Sequence, residues 1–146
     1  MDHHVEVEYN QITDQVYLGQ NMCCTPHAKE LIELGITADL SMQLEAHTNT
    51  PGLQYYMNLP VADEHAPAIE QLTAGIKFMG EVIARGEKVY VHCKNGHGRG
   101  PSMVIAYLIS TVMSFDEASQ FTMKHRPEMH LNSEQVKRLQ EFAGTT

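Results

Sequence analysis

The sequence predicts an α/β protein with a small, mainly parallel central sheet that is covered by helices on both faces. Short strand-like runs alternate with helical segments in the first part of the chain, and helical segments then follow one another to the end. This order is typical of a parallel sheet whose connections are helices. A length of 146 residues without repeats or linkers is most simply one domain, so we expect residues 1–146 to share a single core.

Five strands are expected, each a short run rich in β-branched, aromatic and aliphatic residues. The last of them is short and looks buried, which is typical of a strand inside a parallel sheet. Pro60 is expected to close the fourth strand, because proline has no amide hydrogen to donate to a neighbouring strand. The predicted strands are Val5 to Tyr9, Gln15 to Gly19, Ile36 to Leu40, Leu53 to Leu59 and Lys88 to His92.

Five helices are predicted from end signals and from apolar residues spaced three or four apart. The first should turn Ala28, Leu31 and Ile32 inward. The third is apolar nearly all round and should therefore be central. Ser114 and Glu117 form a capping box at the start of the fourth. The predicted helices begin at Thr25, Ala66, Gly100, Ser114 and Asn132 and end near Gly35, Gly86, Val112, Pro127 and Phe142.

Composition and charge narrow the classes of function. The net charge of −8 argues against a general nucleic-acid binder, which needs a basic surface. The first residues lack the basic and apolar regions of a signal peptide, and no apolar run approaches the roughly 18 residues of a membrane span. We therefore expect a cytoplasmic protein with no nucleic-acid partner and no stable membrane insertion. The oligomeric state is left open.

Cysteine and histidine usage favours neither a disulfide framework nor a metal site. The three cysteines include an adjacent pair, Cys23 and Cys24, and no CxxC pair occurs. The nine histidines are scattered along the chain, so no metal site is expected. Cys23 and Cys24 are interpreted as small packing residues, with a protective disulfide to a reactive thiol as the alternative.

The segment VHCKNGHGRGPS carries the chemistry of the sequence. Cys93 stands where a predicted strand ends, and Arg99 stands where a helix begins. Gly96 and Gly98 allow the seven residues from Cys93 to Arg99 to curl tightly. Successive backbone N–H groups then point inward and form an anion-binding nest. The positive end of the following helix dipole adds to this site.

A thiol and a guanidinium at this nest suit attack on a bound oxyanion. The fixed positive potential favours the thiolate form of Cys93, and Arg99 can lay a bidentate fork across two oxygens of a phosphate or sulfate. The nucleotide-binding pattern GxxxxGK[ST] is absent from this segment.

The segment HCKNGHGR matches the HCxxGxxR signature of the cysteine-based protein tyrosine phosphatases. The segments ITDQVYLGQ, LGITADLSM, LPVADEH and RPEMHLNSEQVKRL resemble the compact dual-specificity branch of that superfamily in order and spacing. The resemblance covers nearly the whole chain. It implies a hydrolase of phosphomonoesters that needs no metal or organic cofactor and works through a phosphocysteine intermediate.

The resemblance also implies a role for each residue of the signature. Cys93 is the expected nucleophile, and His92 would support the loop and the thiolate from behind. The backbone amides after Cys93 and the Arg99 side chain would bind the phosphate oxygens. The expected phosphate-binding residues are Lys94, Asn95, Gly96, His97, Gly98 and Arg99.

The reaction also needs a general acid for the leaving oxygen. In the superfamily this acid is an aspartate on a mobile loop about thirty residues before the cysteine. Asp63 occupies that position in PVADEHAP, directly after a predicted strand, and is the expected acid. Glu64 is the neighbour that could be mistaken for it. Both could instead act as helix N-terminal charge.

Gly100 departs from the pattern of the superfamily, which usually has serine or threonine directly after the arginine. That hydroxyl stabilises the departing thiolate. Ser102 lies nearby but should point elsewhere in a helix that starts at Gly100. The sequence therefore predicts an active enzyme whose phosphoenzyme breaks down slowly.

Three functions remain open from sequence. Phosphorylated proteins carrying phosphotyrosine, phosphoserine or phosphothreonine lead, because the chain is acidic and shows no membrane-anchoring segment. A lipid phosphate, either a phosphoinositide or phosphatidylglycerophosphate, is second, since Lys94 adds positive charge beside Cys93 and the basic run Lys124 to Arg126 could lie nearby. A phosphate-binding module without turnover is third, favoured by Gly100.

Overall fold

The computed structural model describes residues 8–21, 25–45 and 52–144. In these residues the strands and helices alternate first and helices then follow one another, as predicted. The elements in order are β1 (Tyr9–Gln11), β2 (Val16–Gln20), α1 (Thr25–Glu33), β3 (Ile36–Gln43), β4 (Tyr55–Val61), α2 (Ile69–Ala84), β5 (Lys88–Cys93), α3 (Arg99–Ser110), α4 (Phe115–His125) and α5 (Ser133–Gly144).

The strands form one sheet in the order β1-β2-β5-β3-β4. Strand β1 pairs antiparallel with β2, and the pairs β2–β5, β5–β3 and β3–β4 are parallel. Because parallel strands end at the same edge of a sheet, the carboxyl ends of β2, β3, β4 and β5 lie together, which is where α/β proteins place their sites. The predicted mainly parallel sheet is confirmed.

Helices cover both faces of this sheet, as the sequence predicted. The larger core lies between one face and α2, α3, α4 and α5, and α3 is buried along nearly its whole length. The smaller core lies under α1 on the other face and consists of Tyr17, Ala28, Leu31, Ile36 and Tyr90. The prediction of a central third helix is therefore confirmed, because α3 packs against the sheet and against α2, α4 and α5.

Several strand boundaries differ from the predictions by one to three residues. Residues 5–7 of the predicted opening strand lie outside the described residues, and β1 begins at Tyr9. Strand β3 continues beyond Leu40 to Gln43, and β4 continues through Pro60 to Val61. The prediction that Pro60 ends its strand is wrong, because β4 is an edge strand, where the missing proline amide costs no ladder bond.

The helix predictions need two corrections. Helix α2 begins at Ile69 and not at Ala66, because its N-cap is Ala68. Ala28 and Leu31 are buried as expected, but Ile32 is 43% exposed. A Cβ built on Gly52 would come within 2.7 Å of the Ile32 Cδ1 atom. The Ile32 side chain thus packs beside Gly52 instead of entering the core. The Ser114–Glu117 capping box is confirmed, with bonds of 3.1 and 2.9 Å in the two directions.

Candidate active site

The loop of residues 93–99, called here the cysteine loop, joins the carboxyl end of β5 to the first turn of α3. Strand β5 lies in the middle of the sheet, so the loop starts from a strand that is paired on both sides. Gly96 adopts φ +72°, and a Cβ there would lie 2.6 Å from Arg126 Nη2 and 2.9 Å from the carbonyl group of Gly19. The tight curl thus requires glycine at this position, both for the backbone angle and for space.

Cys93 is 2% exposed, and its sulfur receives two backbone hydrogen bonds. The N–H groups of Gly96 and Gly100 donate to Sγ at 3.2 and 3.3 Å. Inward-pointing amides are the arrangement predicted for the nest, and they favour a negatively charged sulfur. The sulfur therefore lies at the floor of a loop whose amides point toward it.

Arg99 is 2% exposed and is held by groups from two strand ends. Its Nη1 atom donates to Glu45 Oε1 at 2.7 Å and to the Val61 carbonyl at 2.8 Å, and Nη2 donates to Glu45 Oε2 at 2.9 Å. The bidentate fork that the sequence predicts for a bound oxyanion thus lies on a carboxylate of the chain itself. The hydrogen bonds from Arg99 lower the pKa of Glu45 to about 2, and the positive charges of Arg99 and Lys94 add to the effect.

Asp63 lies in the same pocket as Cys93 and Arg99. Its Oδ1 atom is 3.4 Å from Arg99 Nη2 and accepts a hydrogen bond from the Glu64 amide at 3.0 Å, while its side chain stays largely exposed. Glu64 follows it with φ +69° and also lines the pocket. The fold thus brings together the three residues that the sequence singled out for catalysis, with Glu64 beside them.

Residues 62–68, called here the aspartate loop, are bound to the start of α5. The sequence had indicated only a helix cap at that start. Asn132 and Gln135 do form that cap, with bonds of 2.9 and 3.0 Å in the two directions, and their amide nitrogens reach further. The bonds to the loop run from Asn132 Nδ2 to the Glu64 carbonyl at 2.7 Å, from Gln135 Nε2 to the His65 carbonyl at 3.2 Å, and from the Ala66 amide to Glu134 Oε2 at 2.8 Å.

His92 lies beneath the loop and is paired with a carboxylate that the sequence analysis missed. Its Nε2 atom is 2.6 Å from Asp39 Oδ1, and the two side chains are 1% and 0% exposed. Tyr90 stacks on the imidazole with ring centroids 5.4 Å apart. A buried carboxylate needs such a partner. An aspartate inside the otherwise apolar run Ile36 to Leu40 was the signal that could have revealed it.

Arg126 holds the outer side of the cysteine loop. It is completely buried and donates to the carbonyls of Gly96 at 2.7 Å and Asn95 at 3.0 Å. Of the basic run Lys124 to Arg126, this is the residue bound to the loop, because Lys124 is exposed and His125 bonds to its own helix. Arg126 is thus a structural support and not a free cation at the surface.

The pocket has a volume of about 280 Å³. Apart from Cys93, its described lining consists of glycine and of polar or charged side chains. The lining residues are Asp63, Glu64, Cys93, Asn95, His97, Gly98, Arg99, His130, Asn132 and Gln135. His130 and the start of α5 had not been expected there, because they follow the signature by more than thirty positions and the sequence indicated only a family resemblance and a helix start for this segment.

Gly100, the position after Arg99, lies beside the sulfur of Cys93 and the side chain of Leu18. A Cβ on Gly100 would lie 3.5 Å from the sulfur of Cys93. Ser102 donates instead to the Gly98 carbonyl at 2.6 Å, so its hydroxyl is directed away from this position, as predicted.

Two further features concern metals and membranes. Within residues 8–21, 25–45 and 52–144, no three His, Cys, Asp or Glu side chains are grouped so as to hold a metal ion. Over the same part of the chain, no helix combines the length and the apolar character of a membrane span. Cys23 and Cys24 lie outside the described residues.

Comparison with known proteins gives the same family from sequence and from structure. The family model of the dual specificity phosphatase catalytic domain matches residues 16–145. Dual specificity protein phosphatase 1 of Mus musculus is 29% identical over 137 residues, which cover 90% of this chain and 36% of that protein. Phosphatidylglycerophosphate phosphatase PTPMT2 of Arabidopsis thaliana is 27% identical, covering 92% of this chain and 62% of that protein. The chain thus spans about a third of the length of the first relative and about three fifths of the length of the second.

Among solved structures, PTPMT1 in complex with PI(5)P superposes with a TM-score of 0.85 at 27% identity, covering 94% of this chain and 95% of that one. The human tyrosine phosphatase-like serine/threonine/tyrosine-interacting protein gives 0.84 at 26% identity, covering 94% and 96%. Sequence, fold and the arrangement of the cysteine loop agree. This chain belongs to the dual specificity phosphatase catalytic-domain family.

Proposed function

We propose that the protein hydrolyses phosphomonoesters through a phosphocysteine intermediate formed on Cys93, without a metal ion. The observation that carries this is the sulfur of Cys93 at the floor of a pocket, with amides of Gly96 and Gly100 donating to it and with Arg99 and Asp63 in the same pocket. A nucleophile, an anion site and a proton donor are the three parts that this reaction requires.

In the first step the thiolate attacks phosphorus in line with the leaving oxygen. A sulfur–phosphorus bond forms while the phosphorus–oxygen bond breaks, and Asp63 gives its proton to the departing alkoxide. The amides of residues 94–99 and the guanidinium of Arg99 bind the non-bridging oxygens. In the second step water attacks phosphorus, Asp63 takes a proton from it, and the thiolate leaves with release of inorganic phosphate.

Glu45 is proposed to hold Arg99 in position during this cycle. The guanidinium has short bonds to Glu45 and Val61, whereas its contact with Asp63 is 3.4 Å long. The longest contact is the weakest, so the incoming phosphate is expected to replace that one. Asp63 is then free to face the leaving oxygen.

For the substrate, we propose a phosphate on a polyol, such as a phospholipid headgroup. The described lining of the pocket consists of hydrogen-bonding groups, among them two imidazole rings, and has no aliphatic side chain against which a tyrosine ring could pack. The names of two similar proteins point the same way, since one is a phosphatidylglycerophosphate phosphatase and the other was solved in complex with PI(5)P.

A phosphorylated protein is the second candidate, and it was the leading expectation from sequence. It is supported by the similarity to dual specificity protein phosphatase 1. An exposed aspartate loop beside a small pocket also suits phosphoserine and phosphothreonine, which project less far from a peptide than phosphotyrosine does.

The reaction is tested by hydrolysis of p-nitrophenyl phosphate and of glycerol 3-phosphate in excess chelator. Cys93→Ser is expected to abolish turnover of both. Asp63→Asn is expected to lower kcat/KM, which reports the first step, for glycerol 3-phosphate by about 10²- to 10⁴-fold. The kcat/KM for nitrophenyl phosphate should fall less, because nitrophenolate leaves without a proton. Turnover that survives Cys93→Ser would refute the proposal. No turnover by the native chain, with phosphate binding retained, would favour a binding module.

The substrate class is tested by comparing kcat/KM for three substrates under one set of conditions. These are short-chain phosphatidylglycerophosphate, a phosphotyrosine peptide and a phosphothreonine peptide. The polyol proposal expects the first to exceed both peptides by at least about tenfold. A peptide that is hydrolysed faster than the lipid would move the assignment to phosphoproteins.

A further inference from the structure

Two histidines from different loops meet in the pocket. His97 belongs to the cysteine loop, and His130 lies between α4 and α5. The amide of His130 donates to the carbonyl of His97 at 2.9 Å, and the two imidazole centroids are 5.1 Å apart at an angle of 42°. The backbone bond fixes the two loops to each other, so the rings form a paired feature of the pocket.

The phosphoryl group itself does not need this pair. In the proposed reaction, backbone amides and Arg99 bind its non-bridging oxygens, and Asp63 gives a proton to its leaving oxygen. His97 is half-buried and His130 is exposed, yet both line the pocket. The imidazoles therefore add hydrogen-bond donors that can contact a part of the substrate beyond the reacting phosphate.

The charge around the pocket gives these donors a specific use. The carboxylates of Asp63 and Glu64 line the same pocket, and the chain carries a net charge of −8. A substrate with a second negative group is repelled by these carboxylates unless donors or cations face that group. His97, His130 and the exposed Lys94 after the nucleophile can do so, and the exposed amide of Asn95 is a further donor in the pocket lining.

We propose that His97 and His130 bind a second anionic group of the substrate, namely a phosphodiester on the same polyol as the phosphomonoester. This inference rests on the proposed function and names the feature by which the site selects its substrate. The histidine pair distinguishes a headgroup that has both a diester and a monoester from a simple alkyl phosphate. The phosphodiester is favoured over a peptide carboxylate because the pocket lining already favours a polyol.

The test compares two soluble substrates that differ only in the diester. Glycerophosphoryl-glycerol phosphate has both groups, and glycerol 3-phosphate has the monoester alone. The native protein is expected to prefer the first by about tenfold or more in kcat/KM, the effect of one charge-assisted hydrogen bond. His130→Ala should reduce this ratio about tenfold, and His130→Arg, which supplies a hydrogen-bond donor at the same position, should keep most of it.

His125→Ala is the matched control, because His125 is a histidine of α4 that does not line the pocket. It is expected to leave the native ratio unchanged. A native ratio near one, or a ratio unchanged by His130→Ala, would overturn the proposal. So would a preference dependent on His130 that appears only between phosphotyrosine peptides with and without flanking glutamates, since the second group would then be a carboxylate.

Failure of this inference is distinguishable from failure of the proposed function. If nitrophenyl phosphate is turned over through Cys93 and the ratio does not depend on His130, only the subsite is refuted. If no substrate is turned over, calorimetric binding of the same two compounds to the Cys93→Ser protein, with and without His130→Ala, still decides whether the histidine pair binds the diester.

Discussion

Gly100 is the residue at which this chain departs from the pattern it otherwise matches. Its amide donates to the sulfur of Cys93 at 3.3 Å, but it has no hydroxyl to stabilise the thiolate as it leaves phosphorus. The intermediate is therefore expected to accumulate. A burst of nitrophenol equal to the enzyme concentration, followed by slow steady turnover, is the expected kinetic trace.

Gly100→Ser is predicted to raise the steady-state kcat severalfold and to reduce the burst. A Cβ at this position would lie 3.5 Å from the sulfur, so the serine hydroxyl can reach the leaving thiolate. The new Cβ would also lie 3.0 Å from Leu18 Cδ1, the end of a flexible side chain that can shift. Stopped-flow measurement of both phases decides the outcome.

Gly100→Ala controls for the added volume, since it brings the Cβ without the hydroxyl. The prediction fails if alanine accelerates turnover as much as serine does, or if the native protein shows no burst.

The residues of the site differ in how far the sequence could predict them. Cys93, Arg99 and Gly96 form one continuous motif whose geometry follows from a strand, a loop and a helix. Asp63 was found because it precedes Cys93 in the sequence by the number of residues that is usual in the superfamily. Glu45 was missed because its role depends on a side-chain contact across 54 positions, and no local pattern encodes such a contact.

Among the elements, the start of α5 has two functions. Asn132 caps the helix through its oxygen and binds the Glu64 carbonyl through its nitrogen. Gln135 reaches the His65 carbonyl and also packs against Gly98, where a Cβ would come within 2.6 Å of Nε2. One helix end thus sets the position of the aspartate loop relative to the cysteine loop.

Asn132→Ser is predicted to lower kcat/KM for glycerol 3-phosphate by about tenfold while leaving stability close to native. Serine is also a good cap for a helix, but it is too short to keep the bond to the Glu64 carbonyl. Because the loss concerns Asp63, hydrolysis of nitrophenyl phosphate should fall much less. Steady-state kinetics on both substrates and a thermal melt provide the measurements.

Equal losses on the two substrates would contradict this role for Asn132, because they would mean that the variant disturbs more than proton donation. Ser133→Ala, at the first residue of α5, is a suitable neighbouring control and should leave both rates near native.

Element boundaries were predictable where a local signal decides them. Caps such as Ser114 with Glu117 fix the start of a helix from a few residues, and these predictions held. The extension of β4 through Pro60 was not predictable, because it depends on β4 lying at the edge of the sheet. Edge position is a property of strand order, which no single segment contains.

At the scale of the whole molecule, Arg126 connects three distant parts of the chain. It donates to two carbonyls of the cysteine loop and also to Asn10 Oδ1 at 2.7 Å and Glu8 Oε1 at 2.9 Å. One buried guanidinium therefore joins the end of α4 to the cysteine loop and to the first described residues.

Arg126→Met is predicted to destabilise the protein by about 3–5 kcal/mol, the usual effect of removing one partner of a buried charged network. It leaves the carbonyls of Asn95 and Gly96 without their donor, so the cysteine loop should lose its shape and activity should fall as well. Urea unfolding gives the free energy. Arg85→Met is the control, because Arg85 follows α2 directly and its side chain is 46% exposed. It should cost less than about 1 kcal/mol. A similar loss of stability in both variants would contradict the prediction.

The overall class could be predicted because alternating strands and helices restrict the chain to a parallel sheet with helical connections. The strand order and the antiparallel β1 could not, since several orders satisfy the same local pattern.

The central position of β5 has a consequence for the motions of the enzyme. Strands at the two edges of the sheet can separate from it by breaking one ladder, whereas β5 opens only when the pairing on both of its sides is lost. Backbone amides of β5 should thus exchange with deuterium at close to the rate of global unfolding, while β1 and β4 exchange earlier. Cys93 is the last residue of this strand, so partial unfolding at an edge of the sheet should leave the sulfur and its surrounding amides in place.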